Sequence, residues 1–393
     1  MIKITDIGTE ASLASLSPQI EEFYEQELKF HRIHVSDNLV LSAVELKAPP
    51  GTPGTSLQDS SNTLVIVPGR AETEHKYAEL LYHLKDTGLR VLVCFVRGQG
   101  QSSMVLYDSN KCHVERFLHY RHDLENILSY LDVGPDFKLL GFSLGGLISL
   151  EFCFNTTYSY KPKAVALIAP FLGIRMPFSP KLVYPILKIL CNIRAFALAY
   201  TPHGKEYQRV PFEENYHSHS RLRYNLYHDY YASHPQMALA GPTYKFVKCC
   251  MQAQGRLHKR KSRFTFPMLC LSAGADQVVS TKAAQEFCRE HSHDPVPPTF
   301  ELVAHAYHDI LNESDNYRNE PLLKALNFLF NGSTDLSYLS ESKQDAEQAP
   351  APQAAPAPRP VAPSAVPEGA TIVREQEVDE SELIGDAPNV PKA

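Results

Sequence analysis

The stretch that most constrains this chain is Leu139-Leu140-Gly141-Phe142-Ser143-Leu144-Gly145-Gly146-Leu147. The run from Phe137 to Phe142 has the pattern of a buried strand, and an apolar helix is expected from Gly145 to about Phe154. Between them lies G-x-S-x-G, which places Ser143 on a sharp strand-to-helix turn. A strained turn lifts the hydroxyl clear of the sheet, and the flanking glycines admit close approach of strand and helix. The helix that follows aims its free N–H groups and positive end at the serine, an arrangement that favours a developing oxyanion. The pentapeptide is also an ordinary Gly/Ser-rich turn. Its strand before and helix after give it chemical meaning.

The surrounding chain alternates in the same way. After a lead-in with one helical patch, Ser17 to Tyr24, two β-prone runs (Lys29 to His34 and Leu39 to Leu46) flank Ser36-Asp37-Asn38, a hairpin signal. Leu64 to Val67, Val91 to Val96 and Ala164 to Ala169 are short, continuous apolar strands. Helical spacing runs from Tyr77 to Asp86 and from His119 to Leu131. This predicts an α/β chain with a mostly parallel sheet and helices on both faces. From Phe171 to about Arg263 the strands stop and aromatic, Tyr-rich and basic segments take over. Strand pattern resumes at Pro267 to Ser272 and Thr299 to Val303, and Pro321 to Phe330 closes the fold as a helix. An insertion of roughly 171–263 between two strands implies a helical cap over the strand ends.

The composition then changes. Residues 334–393 carry eleven acidic and four basic residues, a net of −7 against −6 for the whole chain, which leaves the rest near +1. Gln348 to Pro367 is Ala/Pro-rich without apolar periodicity. The expected organisation is one domain over 1–333 and a disordered acidic tail over 334–393, whose protein partner the sequence does not identify.

The near-neutral body gives no reason to expect nucleic acid as a partner. No window approaches a membrane span, and the start lacks the cationic and apolar regions of a signal peptide, so a cytoplasmic location is expected. Eight scattered cysteines, without C-x-x-C or Cys/His spacing for zinc, fit buried thiols in a reducing compartment. No metal or cofactor is expected.

A nucleophilic serine needs a base, an acid to orient that base, and oxyanion donors. An acid belongs in the loop after a late strand, where Leu271-Ser272-Ala273-Gly274-Ala275-Asp276 supplies Asp276. The base belongs after the last strand. His305 and His308 both lie there, and His308, just before Ile310-Leu311, is preferred. A neutral imidazole between Ser143 and Asp276 acts as general base and then general acid near neutral pH. Oxyanion donors are expected from the backbone N–H groups of Leu144 and Arg70, the latter in the loop Val67-Pro68-Gly69-Arg70-Ala71-Glu72.

With these residues assembled, the chain resembles the bacterial lysophospholipases, in the monoacylglycerol-lipase-like branch of the α/β hydrolases, over about residues 20–330. The resemblance is carried by Pro68-Gly69-Arg70-Ala71-Glu72 with Lys76-Tyr77-Ala78-Glu79-Leu80, Arg97-Gly98-Gln99-Gly100-Gln101-Ser102, and His113-Val114-Glu115-Arg116-Phe117. The serine turn, Gly173-Ile174-Arg175-Met176-Pro177, Gly241-Pro242-Thr243-Tyr244 and Ala306-Tyr307-His308-Asp309-Ile310-Leu311 add to it. It implies an α/β-hydrolase fold, a Ser143–Asp276–His308 triad and deacylation of lysophospholipids at the cytoplasm or inner-membrane surface. Three residues depart from the family pattern. Phe142 replaces the usual His before the nucleophile, Phe95 the Asp before Arg-Gly-x-Gly, and Asp309 the commoner Glu after the histidine, a mild change. The tail has no counterpart.

The expected substrate is a lysophospholipid or other single-chain lipid ester, met through peripheral membrane contact. Arg175, Met176 and Tyr244 are candidate substrate-binding residues. Phe171, Leu172, Met176, Pro177, Phe178, Leu182 and Tyr184 are candidates to line an acyl site, and Arg175, Arg209, Arg221 and Arg223 to meet a phosphate. Competing readings are a monoacylglycerol lipase or small-ester carboxylesterase, a non-catalytic scaffold acting through its tail, and a peptidase, which requires an acidic pocket for an N-terminal amine.

Overall fold

The computed structural model describes residues 2, 4–106, 110–202, 204–259 and 263–337. Apart from its first four residues, the expected tail lies outside them. Contacts divide the chain into a unit Met1–Gln344, which holds every described residue, and a unit Asp345–Ala393.

Eight strands form one sheet in the order β1-β2-β4-β3-β5-β6-β7-β8. These are β1 (Lys29–Ser36), β2 (Leu39–Leu46), β3 (Thr63–Val67), β4 (Arg90–Phe95), β5 (Lys138–Phe142), β6 (Ala164–Ile168), β7 (Met268–Ala273) and β8 (Thr299–Val303). The β1–β2 hairpin and the β2–β4 pairing are antiparallel, and β4 through β8 pair in parallel. The mostly parallel sheet read from the sequence is therefore present, with an antiparallel edge formed by the predicted hairpin.

The central strands are apolar on both sides because both faces are covered. Val65, Leu92, Leu139 and Val165 enter one core with Leu124 and Ile127 of α3 (Leu118–Tyr130), Leu147 of α4 (Leu144–Asn155) and Phe287 of α9 (Thr281–Glu290). The alternate residues Ile66, Val93, Leu140 and Ala166 enter a second core. There they meet Phe23 of α1 (Glu10–Gln26), Leu81 of α2 (Ala78–Leu84) and Leu326 of α10 (Asp315–Asn331). The short patch expected at Ser17 to Tyr24 is thus part of a 17-residue helix that carries Pro18 within it. Thr9 and Ser12 fix its start through a reciprocal capping box. Helix α9 was not legible either; Ser280 caps it by accepting the Ala283 N–H.

Within 171–263 the described residues form no strand but four α-helices, α5 (Pro180–Leu190), α6 (Arg194–Leu198), α7 (Arg221–Ser233) and α8 (Tyr244–His258), and two short 3-10 turns. Buried Arg223 ties α7 to the sheet unit, donating to Glu79 of α2 at 2.9 and 2.8 Å and to Asp315 of α10 at 3.0 Å. The opposite edge of the insertion is held by α8, whose Phe246, Cys250 and Leu257 join the first core. All eight cysteines are free and buried, and none of the described helices is long and apolar enough to cross a membrane.

Candidate active site

Strand β5 delivers Ser143 at φ 51°, ψ −115°, a conformation that L-residues adopt only under constraint from their surroundings. Packing supplies that constraint. A Cβ on Gly145 would lie 1.9 Å from the Val67 carbonyl oxygen, so only glycine lets α4 start this close to β3. The Ser143 N–H donates to the Ile168 carbonyl, and its own carbonyl accepts from Gly146 and Phe171. The hydroxyl is left at the carboxyl end of the sheet, where open α/β sheets place their chemistry.

The loops after β7 and β8 bring the other two candidates to the same point. His308 Nε2 lies 2.9 Å from Ser143 Oγ, and its Nδ1 lies 2.7 Å from Asp276 Oδ2. Asp276 Oδ1 accepts the N–H groups of Val278 and Val279 at 2.7 and 2.9 Å, which fixes the carboxylate and leaves Oδ2 for the histidine. With Nδ1–H donated to Asp276, Nε2 carries no hydrogen and can accept a hydrogen bond from the Ser143 hydroxyl. All three residues are buried. His305, the other candidate base, is exposed at φ 63° on the turn leaving β8. His217, from the insertion, faces His308 with ring centroids 6.3 Å apart. Burial, then the neighbouring imidazole, hold it down at about 4, so it stays neutral above that pH.

The loop after β3 shows an alternation. The Gly69 N–H is held by Glu72 Oε2 at 3.0 Å, and the Ala71 N–H by Gln99 Oε1 at 2.9 Å. Among the described residues the Arg70 N–H between them donates to nothing, as does the Leu144 N–H at the start of α4. A Cβ on Gly69 would come within 3.2 Å of the Ser143 Cβ, so the loop lies directly against the nucleophile turn. Ala71, at φ 61°, is held by two cap hydroxyls: Tyr231 donates to its carbonyl at 2.5 Å, and Tyr227 donates to the same oxygen. The Arg97 loop is anchored without an acid at position 95. Arg97 pairs with buried Asp123 at 2.6 Å, and Phe95 packs edge-on against Tyr77.

The candidate substrate residues separate. The Arg175 guanidinium donates to the Asp276 carbonyl at 2.5 Å, beside the triad, and Met176 follows it half-buried. Tyr244 instead stacks on Phe196 at 4.2 Å and, among the described residues, makes no hydrogen bond or ring contact to Ser143, Asp276 or His308. Its Gly-Pro-Thr-Tyr motif is architectural: Pro242 bridges to Cys112, Thr243 bonds His113, and a Cβ on Gly241 would meet Gly204 at 2.7 Å. Three of the four arginines expected to meet a phosphate are committed elsewhere, Arg209 to Asp229, Arg221 to Glu213, and Arg223 to Glu79 and Asp315. The acyl-site expectation also needs correction. Leu172 is core, whereas Phe178, just before α5, and Leu182 on α5 are exposed to solvent; Leu187 is the residue that α5 buries.

A polar groove of about 450 Å³ lined by Glu45, Lys47, Leu57, Arg90 and Asp132 lies where parallel strands begin, at the end of the sheet opposite Ser143. It plays no part in this chemistry. Sequence reasoning assigned no role to Glu72, Lys76 and Asp309, a buried ionic group beside the triad. The signal was an acid and a base four residues apart in a stretch that is otherwise buried.

Residues 58–315 match the model of the family described as serine aminopeptidase, S33. Lysophospholipase L2 of Escherichia coli K12 is 33% identical over 277 residues, which cover 69% of this chain and 81% of that protein. The probable lysophospholipase L2 of Haemophilus influenzae is 27% identical, over 81% of this chain and 96% of its own. Among solved structures, a monoacylglycerol lipase from Paleococcus ferrophilus superposes with a TM-score of 0.54 at 21% identity, covering 75% of this chain and 99% of its own.

Proposed function

The chain belongs to the serine aminopeptidase S33 family of hydrolases, and on that premise we propose that it is a lysophospholipase using Ser143, His308 and Asp276. The observation that supports the chemistry is the hydrogen-bonded line from Asp276 Oδ2 through His308 to Ser143 Oγ. The relatives named lysophospholipase L2 support the substrate class. In this reading Ser143 Oγ attacks the ester carbonyl carbon as its proton passes to His308 Nε2. The Leu144 and Arg70 N–H groups receive the oxyanion. Collapse of the tetrahedral adduct breaks the bond to the glycerol oxygen, which takes the proton from His308. Water, deprotonated by His308, then cleaves the acyl-enzyme, releases the fatty acid and restores Ser143.

The aminopeptidase suggested by the family description requires a carboxylate free to bind an N-terminal amine. Around the triad, the described carboxylates of Asp276, Glu72 and Asp309 are each bonded to His308 or Lys76, which favours the ester substrate. Arg175, bonded to the Asp276 carbonyl, and Met176, next to it in sequence, are the candidate substrate contacts of this reading.

The proposal includes peripheral contact with an anionic membrane face through α5. Phe178, Leu182, Ile186, Ile189 and Ile193 follow helical spacing and are each more than half exposed. The segment 171–205 holds Arg175, Lys181, Lys188, Arg194 and Lys205 without one acidic residue. An apolar stripe edged by cations matches a lipid surface, and the same segment starts at the triad.

The test is fatty-acid release from lysophosphatidylethanolamine by wild type and Ser143→Ala, with monoacylglycerol alongside. Release from the phospholipid that falls on the order of 10⁴-fold or more in the variant is expected. Release from monoacylglycerol alone would move the substrate class to neutral lipids. No release together with no labelling of Ser143 by a fluorophosphonate would leave a non-catalytic scaffold.

A further inference from the structure

The ionic group beside the triad contains a cation with an unusual position. The Lys76 side chain is 2% exposed, and its ammonium donates to both oxygens of Asp309 at 2.8 Å and to Glu72 Oε1. Its Nζ also stands 4.6 Å from the centroid of the Phe142 ring. Each partner belongs to a different part of the site. Glu72 accepts the Gly69 N–H at 3.0 Å and the Tyr77 hydroxyl, so it holds the start of the oxyanion loop. Asp309 follows His308 directly, and its N–H donates to the His217 carbonyl at 2.9 Å. Phe142 precedes Ser143, and its ring lies 5.5 Å from that of His308.

We propose that Lys76 is a positioning residue that locks the oxyanion loop, the nucleophile turn and the His308 loop into one geometry. The inference rests on Ser143 and His308 being the reacting groups. An ammonium is suited to the task because it donates in three directions to parts of the chain far apart in sequence. Burial strengthens each of those attractions and makes the cation costly unless all its partners are in place. Lys76 is held protonated by Asp309 and Glu72 against its own desolvation, whereas burial pushes Glu72 up.

The clamp also gives a reason for two departures from the family pattern. At position 142 a phenyl ring offers its negative face to the ammonium, where an imidazole would present a second titratable group to a fixed cation and to His308. At position 309 the short Asp side chain reaches Lys76 with both oxygens.

A clamp of this kind acts on turnover, because an ester attacked in a misaligned site still binds. The test compares wild type, Lys76→Met, Asp309→Asn and the double variant on p-nitrophenyl butyrate, a soluble ester that needs no lipid surface, with far-UV and near-UV circular dichroism as the folding control. In folded Lys76→Met, kcat is expected to fall on the order of 10²-fold while KM stays within about threefold. Asp309→Asn is expected to lose about tenfold in kcat, and the double variant to be no worse than Lys76→Met, since both substitutions open the same clamp. Folded Lys76→Met with kcat within about twofold of wild type would overturn the proposal, as would losses that multiply. Should Lys76→Met not fold, Asp309→Asn decides: kcat lowered at constant KM supports the clamp, and unchanged kcat sinks it. The substrate reading fails separately. A wild type that labels on Ser143 but spares lysophospholipid refutes that reading and leaves this test intact, and a wild type that does not label refutes both.

Discussion

The carboxyl end of the sheet and the cap insertion are built on opposite plans. Around Ser143 the polar groups are buried and mostly paired. His308 is bonded on both sides, Asp276 by three donors, and Glu72 and Asp309 by Lys76. The segment 178–193, with α5 at its centre, instead leaves five large apolar side chains in solvent. Buried polar groups that lose a partner are costly, so the first region tolerates no vacancy and holds a single arrangement. An exposed apolar stripe has not finished its packing against the described residues. In the proposed reading, the first region reacts and the second adheres.

The sharpest way to break this comparison is to show that the base is not where the pairing is densest. His308→Ala is expected to lower turnover of p-nitrophenyl butyrate on the order of 10⁴-fold or more. His305→Ala, three residues away but exposed and unbonded to the triad, is expected to stay within about twofold. Loss of activity in His305→Ala with survival of His308→Ala would reassign the base and remove the premise that burial and pairing mark the chemistry.

The same contrast governs what the sequence revealed. Strand-to-helix alternation is local, so β3 to β8 and the turn at Ser143 were legible within a residue or two. That His308 rather than His305 would lie between Ser143 and Asp276 was also legible, because that position stands at a fixed point relative to the last strand. Lys76 was not. Its partners lie four and 233 residues away, and only the fold brings Asp309 to Glu72. The cap misled for the converse reason. Phe178 and Leu182 are apolar, which in a core-forming segment means buried, yet sequence alone does not tell which of two apolar faces of a helix meets the protein. Arg223 has the composition of a phosphate ligand and the position of a rivet.

That rivet supplies a smaller test. Arg223 lies 2% exposed between Glu79, Asp315 and the Glu313 carbonyl, joining α7 to α2 and α10. Removing one partner of a buried ion pair strands the others, at a cost of about 3–5 kcal/mol. Arg223→Met is therefore expected to lower the unfolding midpoint by several degrees, measured by calorimetry, while a variant of exposed Arg221 does not. If Arg223→Met keeps its stability but loses phospholipid turnover, the arginine is a head-group ligand, and the division between a paired sheet unit and an open cap fails at α7.

The smallest effect tests the open side of the comparison. Ile186 and Ile189 lie on the outward face of α5 and Ile193 just beyond its end, with Lys181 and Lys188 on the same helix. Full burial of one such side chain contributes about 1.5–3 kcal/mol, so partial insertion of three suffices for a reversible hold. Ile186→Asp, Ile189→Asp and Ile193→Asp combined are expected to weaken sedimentation with phosphatidylethanolamine/phosphatidylglycerol vesicles on the order of 10²-fold. Turnover of p-nitrophenyl butyrate should not change, because none of the three is bonded to the triad or the oxyanion loop. Raised salt should weaken wild-type binding in part, since it screens the cations and leaves the apolar contact. Vesicle binding that survives the three aspartates but vanishes in salt would assign adhesion to the cations alone, and the apolar stripe would then need a protein partner to cover it.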